Sequence, residues 1–217
     1  MKSIDFTVVK DKIYSGVIAD ILDELGYRSQ AMNPDIRPLS TSFKVMGRAL
    51  TILATDVYEI PEKPYVKELE AVDAVSDGDV VVATTNGSTS SGFWGELLST
   101  AAKVKGARGS IIDGLTRDSI QIVEMGFPVF VRGFSPYDSK GRTDVIDFNV
   151  TIQCGGVTVH PGDIVFGDAD GIVVIPQHIS DEVIQKALEK VEGENEMRDA
   201  LLKGMGVVEA FNKYKIL

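Results

Sequence analysis

The stretch DGDVVVATTNGSTSSGFWGELLSTAAKVKGARGSIIDGLTRDSIQIVEMGFPVFVR, residues 77–132, decides the fold. Asp77-Gly78-Asp79 is a turn signal, and Val80-Val81-Val82-Ala83 behind it is the short, continuous apolar run of a strand covered on both faces. A loop rich in Gly, Ser and Thr follows over 84–92. Residues 95–104 then read as a helix, with Leu97, Ala101 and Val104 on one stripe, Leu98 and Ala102 beside it, and Gly106 and Gly109 closing it. Ser110-Ile111-Ile112 predicts a second buried strand and Asp113-Gly114-Leu115-Thr116-Arg117-Asp118 a turn. Ile120, Val123 and Met125 suggest a short helix stopping at Gly126, and Pro128-Val129-Phe130-Val131-Arg132 a third strand. Strand, helix, strand, helix, strand is the order of right-handed crossovers in a parallel sheet. Ligands bind beyond the carboxyl ends of such strands, so the loops at 84–95 and 114–117 are expected to face one crevice.

Outward from this unit, residues 15–26 carry apolar side chains at helical spacing, with Ser15 to cap the start and Gly26 to end the helix. Residues 48–55 are rich in β-formers and suit a core strand. Beyond Gly133 the pattern changes to closely spaced strands, at 145–153, 157–159, 164–166 and 171–176, separated by Gly and Pro turns. From Ser180, read as an N-cap, Val183, Ile184, Ala187, Leu188 and Val191 mark a long C-terminal helix ending near Gly204. The expected architecture is α/β, one domain over 1–217. Its central, parallel-containing sheet with crossover helices packs on a second, mostly antiparallel β layer.

Composition narrows the function classes. The 217 residues, 44% hydrophobic and 25% charged, fit a soluble globular chain with one well-buried core. No apolar run reaches the roughly 20 residues needed to cross a bilayer, and Asp5 sits where a secretory signal would be apolar, so a cytoplasmic location is expected. Cys154 is the only cysteine, which excludes an internal disulfide. A net charge of −10 argues against nucleic acid as a partner. It still allows a small anion held by a local arginine or helix start. His160 and His178 lack the spacing of a zinc site, which leaves oxygen-ligated Mg²⁺ or Mn²⁺ as the metal to expect.

Two constellations carry chemistry. The first N–H groups of the helix after Gly95 have no internal partners and can receive a carboxylate, and a glycine there allows close approach. Read plainly, Gly92 and Gly95 only shape a loop. Arg117 offers a planar donor fork to a carboxylate or an enolate oxygen, and Asp118 an oxygen ligand for a hard cation. The plain alternative makes Asp118 or Thr116 an N-cap, with Arg117 solvated. Asp168, Asp170 and Gly171 read as a hairpin turn, since the rest of a calcium loop is missing. The charge-rich run of Glu192, Glu194 and Glu196 reads as a solvated helix face.

Ordered stretches along nearly the whole chain resemble the RraA-like proteins, which include 4-hydroxy-4-methyl-2-oxoglutarate aldolases. They are Asp20-Ile21-Leu22, Gly47-Arg48-Ala49-Leu50-Thr51, Trp94-Gly95-Glu96-Leu97-Leu98, Asp113-Gly114 with Arg117-Asp118, Gly126-Phe127-Pro128-Val129-Phe130, and Pro161-Gly162-Asp163 with Asp168, Asp170-Gly171 and Pro176. The resemblance implies a swivelling β/β/α fold and a metal-dependent class II pyruvate aldolase that also decarboxylates oxaloacetate. It implies that Asp118 holds Mg²⁺ or Mn²⁺ partly through waters and that Arg117 contacts a small anionic 2-oxo acid. Backbone N–H groups near Gly95, Glu96 and Leu97 would hold the pyruvyl carboxylate, with the Glu96 side chain as a further catalytic candidate. It also implies a homotrimer or homohexamer in which Glu194 of a neighbouring subunit completes the site. Gln121 departs from the pattern, standing where the family has an acid three positions after the Asp. That departure favours an alternative, a non-catalytic RraA-like regulatory or binding protein, while retention of Asp118 opposes it. No Gly-rich nucleotide loop follows the first strand to support a methyltransferase, and no lysine sits in a buried apolar run to support a Schiff-base aldolase.

Overall fold

In the computed structural model, which describes residues 5–216, Val80-Val81-Val82-Ala83 lies inside a nine-stranded mixed sheet. The chain opens with α1 (Phe6–Val9) and α2 (Ser15–Glu24), then forms β1 (Arg37–Pro38) and the long β2 (Val45–Asp56). Next come α3 (Val66–Asp73), β3 (Asp79–Thr84), β4 (Gly92–Trp94), α4 (Glu96–Val104), β5 (Gly109–Thr116), α5 (Ser119–Glu124) and β6 (Val129–Phe134). The remainder comprises β7 (Thr143–Phe148), β8 (Ile152–Cys154), β9 (Val157–Val159), β10 (Ile164–Gly167), β11 (Ile172–Ile175), α6 (Ser180–Leu202) and α7 (Val207–Tyr214). Among the described residues no helix is long and apolar enough to cross a membrane.

The sheet runs β1-β6-β5-β3-β2-β10-β11, with β4 paired to β5 and β7 to β2. Strands β2, β3, β5 and β6 are parallel, as crossovers through α3, α4 and α5 require. Side chains alternate between two apolar layers. Val81, Ala83 and Ile112 pack with Ala71, Val72, Ala102 and Ile122 of the crossover helices, whereas Val80, Val82 and Ile111 pack with Ile152, Cys154, Val157 and Val159. A third cluster joins α1, α2 and α6 to Ile164, Phe166, Val173 and Ile175.

The antiparallel strands divide in a way their spacing does not reveal. β2 is 12 residues long, and one of its edges serves two partners: β10 along residues 45–48 and β7 along 52–56. Strands β10 and β11 therefore extend the central sheet, which curls around the separate β8–β9 hairpin.

Several local expectations need correction. Asp113-Gly114-Leu115-Thr116 is not a turn, because β5 continues to Thr116 by pairing with β4 and β6. Tertiary pairing overrides a sequence that looks like a turn. The stripe of Leu97, Ala101 and Val104 faces outward, while Ser99 and Ala102 are buried. Ser99 is drawn inward because its hydroxyl accepts from Trp94 Nε1 at 2.8 Å and donates to the Gly95 carbonyl at 2.9 Å.

Ser15 does not cap α2 either. Its N–H and hydroxyl both donate to buried Asp168, at 2.9 and 2.8 Å, and the same carboxylate accepts from Asp170 and Gly171 N–H at 3.0 and 3.3 Å. One carboxylate thus closes the β10–β11 turn and starts a distant helix. Asp168→Ala leaves the two buried Ser15 donors unpaired and is expected to destabilise the protein by about 2–3 kcal/mol, read as a lowered urea midpoint at unchanged slope.

Candidate active site

Short as it is, β4 sets the geometry of the site. It runs parallel to the end of β5, with Gly92 beside Leu115 and Trp94 beside Thr116. The Trp94 carbonyl accepts from Arg117 N–H at 2.9 Å and from the Thr116 hydroxyl at 2.7 Å. A Cβ on Gly92 would lie 2.3 Å from the Ser135 carbonyl oxygen, so a side chain there would push β4 off. This pairing brings the start of α4 against the start of α5.

At that junction a Cβ on Gly95 would meet Asp118 Oδ2 at 3.0 Å and Arg117 Nε at 3.3 Å. Asp118 itself adopts a left-handed conformation, φ 56° and ψ 32°, at the N-cap position of α5. Its side chain makes no cap bond to its own helix. Instead Oδ2 accepts the Glu96 N–H at 3.2 Å, so the carboxylate sits on the positive end of α4. Arg117 Nε lies 3.7 Å from the same oxygen, and Nη2 lies 3.3 Å from Asp138 Oδ1. One guanidinium is held between two carboxylates.

Behind Asp138 stands Tyr65, also left-handed at φ 68°, whose hydroxyl donates to Asp138 Oδ2. That bond and burial push the Tyr65 phenol up to about 12. Burial raises Asp138, but the Tyr65 bond and the Arg117 charge outweigh it and hold this carboxyl below its usual range. Glu68, in the first turn of α3, is 5% exposed and accepts a bond from the Ser139 hydroxyl at 3.4 Å. Burial pushes Glu68 up to about 7, the Ser139 bond opposes this, Asp138 and Asp144 add to it, and Arg117 opposes it again.

These groups line a crevice of about 230 Å³, walled on the apolar side by Phe93, Leu69, Leu97 and Leu98. Wider hollows border α6 and α7, about 420 Å³ near Met205 and 570 Å³ near Phe211, but they are bordered by side chains of the helix surface and gather no comparable set of paired charges.

Of the residues expected at the site, Gly95, Leu97, Arg117 and Asp118 line this crevice. Glu96 contributes its backbone N–H, but its carboxylate turns along α4 to accept from Thr100 at 2.8 Å. Glu194 lies elsewhere in the chain, on α6, where it accepts from the Tyr14 hydroxyl. The sequence reading missed Glu68, Asp138 and Ser139. Glu68 left a signal: it shares a helical face with Ala71, Val72 and Val75, all buried, so an acid interrupts an apolar stripe. Asp138 left none.

Among the described residues no group of three His, Cys, Asp or Glu forms a metal cage. A hard ion that keeps most of its waters needs no cage, since one or two carboxylates suffice for Mg²⁺. Asp118 fits that role, because only one of its oxygens accepts a protein hydrogen bond among the described residues.

Residues 16–174 match the family model described as RraA-like: Aldolase/RraA. The chain is 34% identical over 196 residues to a Halalkalibacterium halodurans protein named "Putative 4-hydroxy-4-methyl-2-oxoglutarate aldolase", covering 90% of this chain and 88% of that one. An uncharacterized protein from Pseudomonas syringae pv. tomato superposes with a TM-score of 0.81 at 27% identity, over 94% of this chain and 96% of its own. Streptomyces coelicolor RraAS2, described as an unusual member of the RNase ES inhibitor RraA protein family, superposes at 0.78 with 29% identity, over 91% and 98%.

Burial of Glu68 also affects stability. Its folded value near 7 exceeds the ordinary 4.5, so between these pH values the folded protein keeps a proton that the unfolded chain releases. The resulting loss of stability grows as pH rises through that window and then levels off. Glu68→Gln removes it, so the variant is expected to melt above the parent at about pH 8, with the gap closing below about pH 4.5. Thermal melts across pH check this.

Proposed function

This chain belongs to the RraA-like family, and from that premise we propose that it is a divalent-metal-dependent carbon–carbon lyase of the class II pyruvate aldolase type. Its substrates are 4-hydroxy-2-oxo acids such as 4-hydroxy-4-methyl-2-oxoglutarate, cleaved to pyruvate, and the same site decarboxylates oxaloacetate. The observation that carries this reading is the Asp118 carboxylate, turned off its own helix onto the start of α4 beside Arg117.

The chemistry follows from charge. Retro-aldol cleavage and oxaloacetate decarboxylation leave the same pyruvate enolate, so a site that stabilises negative charge on the 2-oxo oxygen serves both. Arg117 supplies a donor fork to that oxygen, and Asp138 and Asp118 fix its orientation. Glu96 N–H is taken by Asp118, which leaves those of Leu97 and Leu98 for the substrate carboxylate. Asp118 would hold Mg²⁺ or Mn²⁺, which supplies a Lewis acid for the 2-oxo group. Phe93 and Leu98 give the crevice an apolar wall beside the reacting carbons.

Assembly is part of the reading. Leu97, Val104, Ile120 and Val123 are exposed on two adjacent helices beside the crevice, which supports a homotrimer or homohexamer. In such an assembly Glu194 acts from a second copy. A non-catalytic role remains the second reading, supported by the exposed Gln121 on α5 and by the likeness to RraAS2.

Pyruvate release with Mg²⁺ or Mn²⁺ separates the two readings. The unaltered protein is expected to turn over and to stop when a chelator is added. Asp118→Asn, which keeps a side chain tolerant of the left-handed backbone, is expected to abolish turnover while the circular dichroism spectrum is retained. Arg117→Ala is expected to lower kcat by about 100-fold or more. Full activity in either variant refutes the assignment.

A further inference from the structure

We propose that Glu68 is the acid/base group of this crevice, taking the proton of the substrate's 4-hydroxyl as the C3–C4 bond breaks and returning it to C3 of the enolate. The inference rests on the aldolase reading.

Glu68 lines the same cavity as Arg117 and Asp118, yet it is tied to neither. Among the described residues its one hydrogen bond is the long one from Ser139, and no cation pairs with it: Arg117 is shared by Asp118 and Asp138, and neighbouring Lys67 turns to Asp147 and the Ile146 carbonyl. Burying a carboxyl without a cation works against folding, and an apolar residue would fill this face of α3 beside Ala71 and Val72. A structural role therefore explains little of it.

The other candidates in the crevice are committed. Tyr65 is held protonated by its bond to Asp138, and Asp138 is held ionised by Tyr65 and Arg117. The groups facing Glu68 are Asp138 from the loop after β6, Asp144 from β7, Arg117 after β5, and Tyr65. Among them Glu68 is the group poised to exchange a proton near neutral pH, as an efficient acid/base requires.

The step balances. The Glu68 carboxylate takes the hydroxyl proton, the O–H pair becomes the new C4=O bond, and C3–C4 breaks. Its electron pair forms C2=C3, and the former C2=O pair moves onto the oxygen beside Arg117. The enolate then takes the proton from the Glu68 carboxyl at C3, which gives pyruvate and restores the carboxylate. Oxaloacetate loses CO₂ with no proton removed first, and the enolate it leaves can depart and take its C3 proton from solvent, so the bond-breaking step of that reaction does not depend on Glu68.

This difference provides the test. Glu68→Gln and the parent, both with Mg²⁺, are assayed on 4-hydroxy-4-methyl-2-oxoglutarate and on oxaloacetate. The ratio of cleavage to decarboxylation is expected to fall about 100-fold or more in the variant. The parent's kcat/KM for cleavage should rise with pH through an inflexion near 7, and the variant should lose that inflexion. Equal loss of both reactions, or undiminished cleavage, overturns the role of Glu68. Absence of turnover in the parent on either substrate overturns the aldolase reading itself, and this inference with it.

Discussion

A three-residue strand holds the site together. By pairing with the last residues of β5, β4 makes the start of α4 and the start of α5 meet, although their first residues are 23 positions apart in Glu96 and Ser119. Two bare glycines make the approach possible, Gly92 under the Ser135 carbonyl and Gly95 against Arg117 and Asp118. Without that contact, the α4 amides and the Arg117-Asp118 pair would be two unrelated loop ends.

Charge is arranged in the crevice by confinement. Arg117 stands between Asp118 and Asp138, and Tyr65 secures Asp138 from behind. The guanidinium is therefore oriented before any ligand arrives, which is the condition for electrostatic stabilisation without reorganisation. Glu68 lies just outside this network, buried but uncompensated, and that position sets its proton affinity apart from those of Asp138 and Tyr65. Groups lining one crevice thus differ in proton affinity because their surroundings differ.

The curled sheet serves the same end. Because β2 gives one edge to both β10 and β7, the antiparallel strands wrap the β8–β9 hairpin on one side and leave the crossover helices on the other. The crevice opens on the helical side, where the carboxyl ends of β4 and β5 emerge. Apolar side chains of α4 and α5 surround its mouth and face outward, since the inward face of α4 is occupied by Ser99 and Ala102.

By itself the sequence determined the parallel core and the meeting of Gly95 with Arg117-Asp118 in one crevice. Val80 to Ala83, Ile111 to Ile112 and Val129 to Val131 are apolar without alternation, and between turn signals such short runs suit strands buried on both faces. The Arg117-Asp118 pair and Gly95 were legible because strand order places those loops at one end of the sheet. What the tertiary structure alone decided is how those residues are used. The extension of β5 through Asp113, the turn of Asp118 onto α4, and the outward stripe of Leu97 and Val104 all depend on partners distant along the chain. Asp138 and Glu68 entered the site in the same way, since proximity to Arg117 is created by loop packing and no local propensity encodes it. Local preferences name the elements, whereas contacts across the fold choose which side chains share a cavity.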